Sequence, residues 1–77
     1  MNNVEKILNY MFHSKYTFFR PSIVARKICS GEERVKKSFE NMIEYGVVKK
    51  TSVASIDRYF LTQPTIWILT NVLRWRR

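Results

Sequence analysis

PSIVARKICSGEERVKKSFENMIEYG, residues 21–46, is the stretch that decides the fold. Pro21 suits the first turn of a helix, where its missing N–H is no loss. A helix from Pro21 to Ile28 follows, with Ile23, Val24 and Ile28 apolar and Ala25 small. Cys29-Ser30-Gly31 interrupts the pattern. Gly31 is able to take the left-handed conformation of a tight inter-helix turn, and Ser30 to supply a cap. The spacing of Val35, Phe39, Met42 and Ile43 predicts another helix from Glu32 to Tyr45 with those residues buried, and Gly46 ends it at C′. Two helices joined by so short a turn make a helix-turn-helix.

The flanks extend this unit. Upstream, Val4, Ile7, Leu8, Met11 and Phe12 recur at helical spacing and predict a first helix from Asn3 to Ser14, capped by Asn2 or Asn3. Tyr16-Thr17-Phe18-Phe19 is aromatic and β-branched and reads as an extended segment or single short strand. Downstream, Val47 to Val53 and Arg58 to Thr62 read as strands joined by a tip at Ala54 to Asp57. Gln63-Pro64-Thr65 opens a last helix, Thr65 to Arg74. The expected fold class is α+β, mostly α, in the order α-β-α-α-β-β-α, as one domain over residues 1–77. The chain contains no internal repeat, linker or low-complexity stretch.

In this order the sequence resembles the winged helix-turn-helix superfamily, in particular small single-domain regulators of archaeal or viral type. The second helix of that family shows an aliphatic-Ala-x-x-aliphatic core, matched by Val24-Ala25-Arg26-Lys27-Ile28. Its recognition helix places apolar residues at 0, +4 and +7, then Gly at +11 and an aliphatic, matched by Val35, Phe39, Met42, Gly46 and Val47. The hairpin ending in Arg58-Tyr59-Phe60-Leu61-Thr62 resembles the return strand of the wing, which would span residues 47–62. The resemblance implies DNA binding through the third helix. One departure stands out: Ser52 to Asp57 carries no Gly and no basic residue at the wing tip, which argues against a minor-groove role there.

Charge points the same way. Fourteen Lys and Arg against six Asp and Glu give +8, a balance suited to polyanions. Residues 15–50 hold nine basic and four acidic groups, +5 by subtraction, and Arg74, Arg76 and Arg77 form a second basic cluster. A cationic surface kept for solubility is the plainer alternative. At 77 residues and 45% hydrophobic, the chain is one small domain with more apolar surface than a monomer core of that size needs. With one Cys and one His there is neither an intrachain disulfide nor a Cys/His metal set. Cys29 reads as a small buried turn residue and His13 as an exposed end-of-helix residue. No apolar run approaches the roughly 20 residues needed to span a bilayer. The N-terminus lacks a signal-peptide pattern, so an intracellular, cytoplasmic protein is expected, in the host cytoplasm if viral. No nucleophile–base pair, paired carboxylates or phosphate loop can be assembled; no enzyme activity, cofactor, metal or small-molecule ligand is expected.

On a helical wheel with Val35, Phe39 and Met42 inward, Arg34, Lys37 and Asn41 fall together outward, beside an acidic stripe of Glu33, Glu40 and Glu44. Arg and Asn pair bidentately with guanine and adenine edges, and Lys contacts guanine or phosphate. The candidate base readers are Ser30, Glu33, Arg34, Lys37 and Asn41. The alternative is a solvated face with the intrahelical pairs Glu33–Lys37 and Glu32–Lys36. Candidate phosphate contacts are Arg20, Arg26 and Lys27 around the second helix, Lys36, and Lys49, Lys50 and Arg58 on the hairpin. For the last three, ordinary solvated strand charges are an equal reading.

The last helix is apolar in nearly every direction, with Ile66, Trp67, Ile68, Leu69, Val72, Leu73 and Trp75. Such a helix is buried on more than one side or exposes an interface. A homodimer through the first and last helices is expected, with Ile66, Trp67, Leu69, Val72, Leu73 and Trp75 as candidates. A monomer core that uses both faces is the alternative. Three classes of function follow. The first is a sequence-specific double-stranded DNA-binding regulator, most simply a repressor. The second is a winged-helix interaction module of a replication or transcription assembly, and the third a non-specific architectural DNA-binding protein.

Overall fold

The computed structural model describes residues 2–76. It is a small α+β fold, mostly helical, with four helices and one antiparallel hairpin. Helix α1 spans Asn3–His13; the side chain of Asn2 accepts from the Glu5 N–H at 2.9 Å and so satisfies one of the open donors of the first turn. Ile7, Met11 and Phe12 form its buried stripe. The helix stops one residue short of Ser14, whose extended backbone turns the chain and whose Oγ accepts from the Tyr16 N–H at 3.1 Å.

The short strand expected at Tyr16–Phe19 is reduced to a single bridge. Phe19 and Tyr59 exchange both N–H···O bonds at 2.8 Å, and Tyr16, Thr17 and Phe18 stay outside the ladder. The next bonded position toward the hairpin tip falls at Pro21, which has no N–H to give and already belongs to a helix. The order observed is therefore α-α-α-β-β-α.

Helix α2 spans Pro21–Lys27 and α3 spans Glu32–Glu44. The turn between them differs from expectation. Gly31 is extended at φ −71° as the N-cap of α3, and the left-handed residue is Cys29 at φ +56°. The reason is positional. With Ile28 as C-cap, C′ is Cys29, and the paired bonds Ser30 N–H to Ala25 O (2.9 Å) and Cys29 N–H to Arg26 O (3.4 Å) close a Schellman motif. Ser30 makes no cap bond to α3; its Oγ accepts from Asn3 Nδ2 at 3.0 Å and ties the turn to the start of α1. Cys29 is exposed rather than buried, because a left-handed C′ residue stands off the helix end. Gly46 at φ +74° closes α3 the same way, with Val47 N–H to Met42 O at 2.9 Å.

Val35, Phe39 and Met42 are buried as their spacing predicts, and Val24 and Ala25 are buried on α2. Ile23 and Ile43 are each 37% exposed, since both sit at the margin of their helix's inward face. Strands β1 (Val48–Val53) and β2 (Ile56–Leu61) pair from Val48↔Leu61 to Val53↔Ile56. Their tip is the two-residue turn Ala54-Ser55, both left-handed at φ +53° and +65°. Such a turn follows the twist of the paired strands, so β2 begins two residues before the expected Arg58. The inner face presents Val48, Tyr59 and Leu61 to the core, where the Tyr59 ring stacks on Phe39 at 4.3 Å and 11°.

Thr62 joins the hairpin to the last helix. Its N–H donates to Val47 O at 3.2 Å, and its buried hydroxyl lies 2.9 Å from Gly46 O and 2.7 Å from the Thr65 hydroxyl. Helix α4 spans Gln63–Asn71, starting and ending earlier than the expected Thr65–Arg74. Beyond it Arg74 is left-handed (φ +58°), and Trp75 folds back, its N–H on Leu69 O at 2.7 Å and its ring against Phe12 at 5.7 Å. Among the described residues no helix is long and apolar enough to cross a membrane.

Candidate nucleic-acid interface

Helix α3 has three differently charged sides because one stripe is fixed inward by Val35, Phe39 and Met42. Toward α1, Arg34, Lys37 and Asn41 line one shallow surface hollow with Ser38 and Asn3. No acidic residue lines it, and neither Arg34 nor Lys37 forms an ion pair among the described residues. The wheel alone brings Arg34, Lys37 and Asn41 together. Asn3 arrives through tertiary packing, held by its bond to Ser30; only its place at the helix start was visible in sequence. Ser38 lies next to Arg34 and Asn41 on the same wheel and could have been found there.

Toward the hairpin the same helix is paired and balanced. Lys36 lies 3.2 Å from Glu32 and 3.7 Å from Glu33, so the first of these is the anticipated i,i+4 pair. The anticipated Glu33–Lys37 pair is absent among the described residues: Glu33 turns to Lys36 and leaves Lys37 clear. The hydrogen bond to Glu32, then the charges of Glu33 and Glu32, raise the Lys36 pKa above the ordinary lysine range. Both partners are exposed, so these pairs hold side-chain positions rather than add much stability. The groove between α3 and the hairpin sets Arg20, Lys36 and Lys50 against Glu32, Glu40 and Asp57. Asp57 also accepts from the Ser52 hydroxyl at 2.5 Å. Equal numbers of opposite charges make this groove a poor phosphate site.

The remaining candidates are dispersed. Ser30 is half-buried with its hydroxyl engaged by Asn3. Arg26 is exposed at the end of α2, where a cation also complements the helix dipole. Lys27 shares a different hollow, with Lys6, Tyr10 and His13 of α1. Lys49 and Arg58 lie on the outer face of the hairpin, away from α3, and Lys50 stands at the edge between the two faces.

The six residues read as a dimer interface also divide. Leu69 is 3% exposed and belongs to the monomer core, and Ile66 and Trp75 are half-buried against it. Trp67, Val72 and Leu73 stay exposed, joined by Ile68. The division follows from the helix ending at Asn71, which sends Trp75 back onto Phe12 and His13 instead of outward along an extended helix. His13 is exposed at the end of α1, with Nδ1 donating to Asn9 O at 2.8 Å and its ring stacked against Trp75. Among the described residues no cluster of three or more His, Cys, Asp or Glu could hold a metal ion. Set against known proteins, the chain matches no family model and no curated relative.

Proposed function

We propose that this chain is a winged helix-turn-helix protein that binds double-stranded DNA sequence-specifically and regulates transcription as a repressor. The observation that carries this reading is the grouping of Arg34, Lys37 and Asn41 on the solvent side of α3, unpaired and free of carboxylates among the described residues. These are the side chains that read guanine and adenine edges in a major groove. The balanced groove beside the hairpin favours a docking tilted toward α1, with Arg26 on the phosphates and the wing tip contributing little. The exposed Trp67, Ile68, Val72 and Leu73 join a second copy, and a two-fold dimer addresses two half-sites about one helical turn apart.

The test is binding to a selected duplex and to random duplex across a salt series. Specific binding should exceed random binding by about 10³-fold or more at physiological salt. Lys37→Ala or Arg34→Ala should cost about 1–3 kcal/mol on the selected site and flatten the preference at one base position. Equal affinity for both duplexes would assign the charge to non-specific coating of DNA. Unchanged binding in both variants would remove α3 as the reader.

A further inference from the structure

We propose that the outer face of the hairpin is a second nucleic-acid site, one that takes an unpaired strand of DNA or RNA by stacking a base on Phe18. The bridge at Phe19↔Tyr59 sets Phe18 opposite Phe60, and the ladder sets Phe60 opposite Lys49. Phe18, Phe60 and Lys49 therefore form one row across the outer face, followed by the row Arg58–Thr51. The two phenyl rings meet edge to face at 5.5 Å and 69°, with Phe18 51% exposed. Together with Val53 these residues line one open hollow that holds the cations Lys49 and Arg58 and no acidic residue; Lys50, paired with Tyr59 on the inner face, reaches only its edge. On the other side of the same two strands, three carboxylates offset three cations.

That difference selects the occupant. An aromatic ring exposed on a sheet face, with Arg58 one strand away, Lys49 two strands away and no carboxylate in the hollow, offers a π-face for a base and positive charge for the flanking phosphates. A duplex hides its base faces in the stack, so only an unpaired strand can use the ring. Alternation from the buried Phe19 turns Phe18 to this face, where it packs on Phe60 rather than into the core. The site is separate from α3, and it stands or falls independently of the duplex-binding reading.

The experiment measures fluorescence anisotropy of labelled oligo-dT and oligo-U, each about ten nucleotides, with the full chain at about 0.15 M salt. Phe18→Ala should weaken both about tenfold or more, Phe18→Tyr should retain binding, and Lys49→Gln with Arg58→Gln should weaken it and shrink the salt slope. Duplex binding should be unchanged in Phe18→Ala and lost in Arg34→Ala/Lys37→Ala, which should still bind oligo-dT. In the unaltered protein, photocrosslinking of iodouracil-substituted oligomer should map to Phe18 or Phe60, a readout that needs no variant to fold. An abasic oligomer binding as tightly as oligo-dT would overturn the proposal, because charge alone would then suffice. So would loss of oligo-dT binding with the α3 pair rather than with Phe18, or equal competition by a Glu/Tyr copolymer, which would assign the face to an acidic protein. Binding of one oligomer but not the other would confine the site to DNA or to RNA and sustain it.

Discussion

Residues 21–46 and residues 63–76 are both rich in apolar side chains, yet they fold by different logic. In α3 the apolar residues recur every three or four positions, so they share one stripe, and Val35, Phe39 and Met42 all reach the core. In α4 Ile66, Trp67, Ile68 and Leu69 are consecutive and point around the axis, so a small core on one side takes only Leu69 fully. The rest is half-covered or left to solvent. Apolar content sets how much surface seeks cover, and periodicity sets whether one neighbour can supply it.

Phe39→Ala removes a fully buried ring stacked on Tyr59 and should cost about 3–5 kcal/mol, read from the urea midpoint. That would consume most of the stability of a domain this size. Trp67→Ser removes a residue as large from α4, but one 61% exposed. In dilute solution it should change monomer stability by no more than about 0.5 kcal/mol. At high concentration it should abolish the proposed dimer, with sedimentation as the measurement. A large loss of monomer stability would mean that α4 buries this face within one chain.

The helix ends sharpen the contrast. Cys29 and Arg74 both take left-handed backbone at a helix exit, a conformation that costs a non-glycine residue about 1 kcal/mol. Cys29→Gly should raise stability by no more than about 0.5 kcal/mol, because the freer unfolded chain offsets part of the relieved strain. Arg74→Gly should gain less, because the segment after it is held chiefly by Trp75. Equal gains would show both exits to be equally fixed.

The smallest effect is one of pH. Burial, then the charges of Asp57 and Glu40, raise the pKa of Tyr59 above its ordinary value. Above about pH 10 the unfolded chain releases this proton while the folded chain keeps it. The folded state then binds more protons, and stability falls as pH rises. Tyr59→Phe should flatten that slope from about pH 10 upward in urea titrations.

Much of the fold was legible because local rules and tertiary structure agree. Pro21 at a helix start, Gly46 at a helix exit and the inward stripe of α3 each follow from sequence. The grouping of Arg34, Lys37 and Asn41 followed from the same wheel. Other features were not legible. Gly31 is the residue best suited to a left-handed turn, yet the place went to Cys29 because the exit is counted from where α2 ends. The strand at Tyr16–Phe19 had the right composition, but the helix starting at Pro21 left it one bridge. Asn3 entered the α3 hollow only through packing of α1.

The four helices, the hairpin, the inward stripe of α3 and the sign of the surface charge were all written in the sequence. These depend on residue spacing and composition along one element. Packing across space settled which charges share the groove beside the hairpin, which apolar residues of α4 are covered, and that Phe18 faces outward beside Phe60 and Lys49. Those outcomes depend on what lies alongside, and neighbours across space are not written in spacing along the chain.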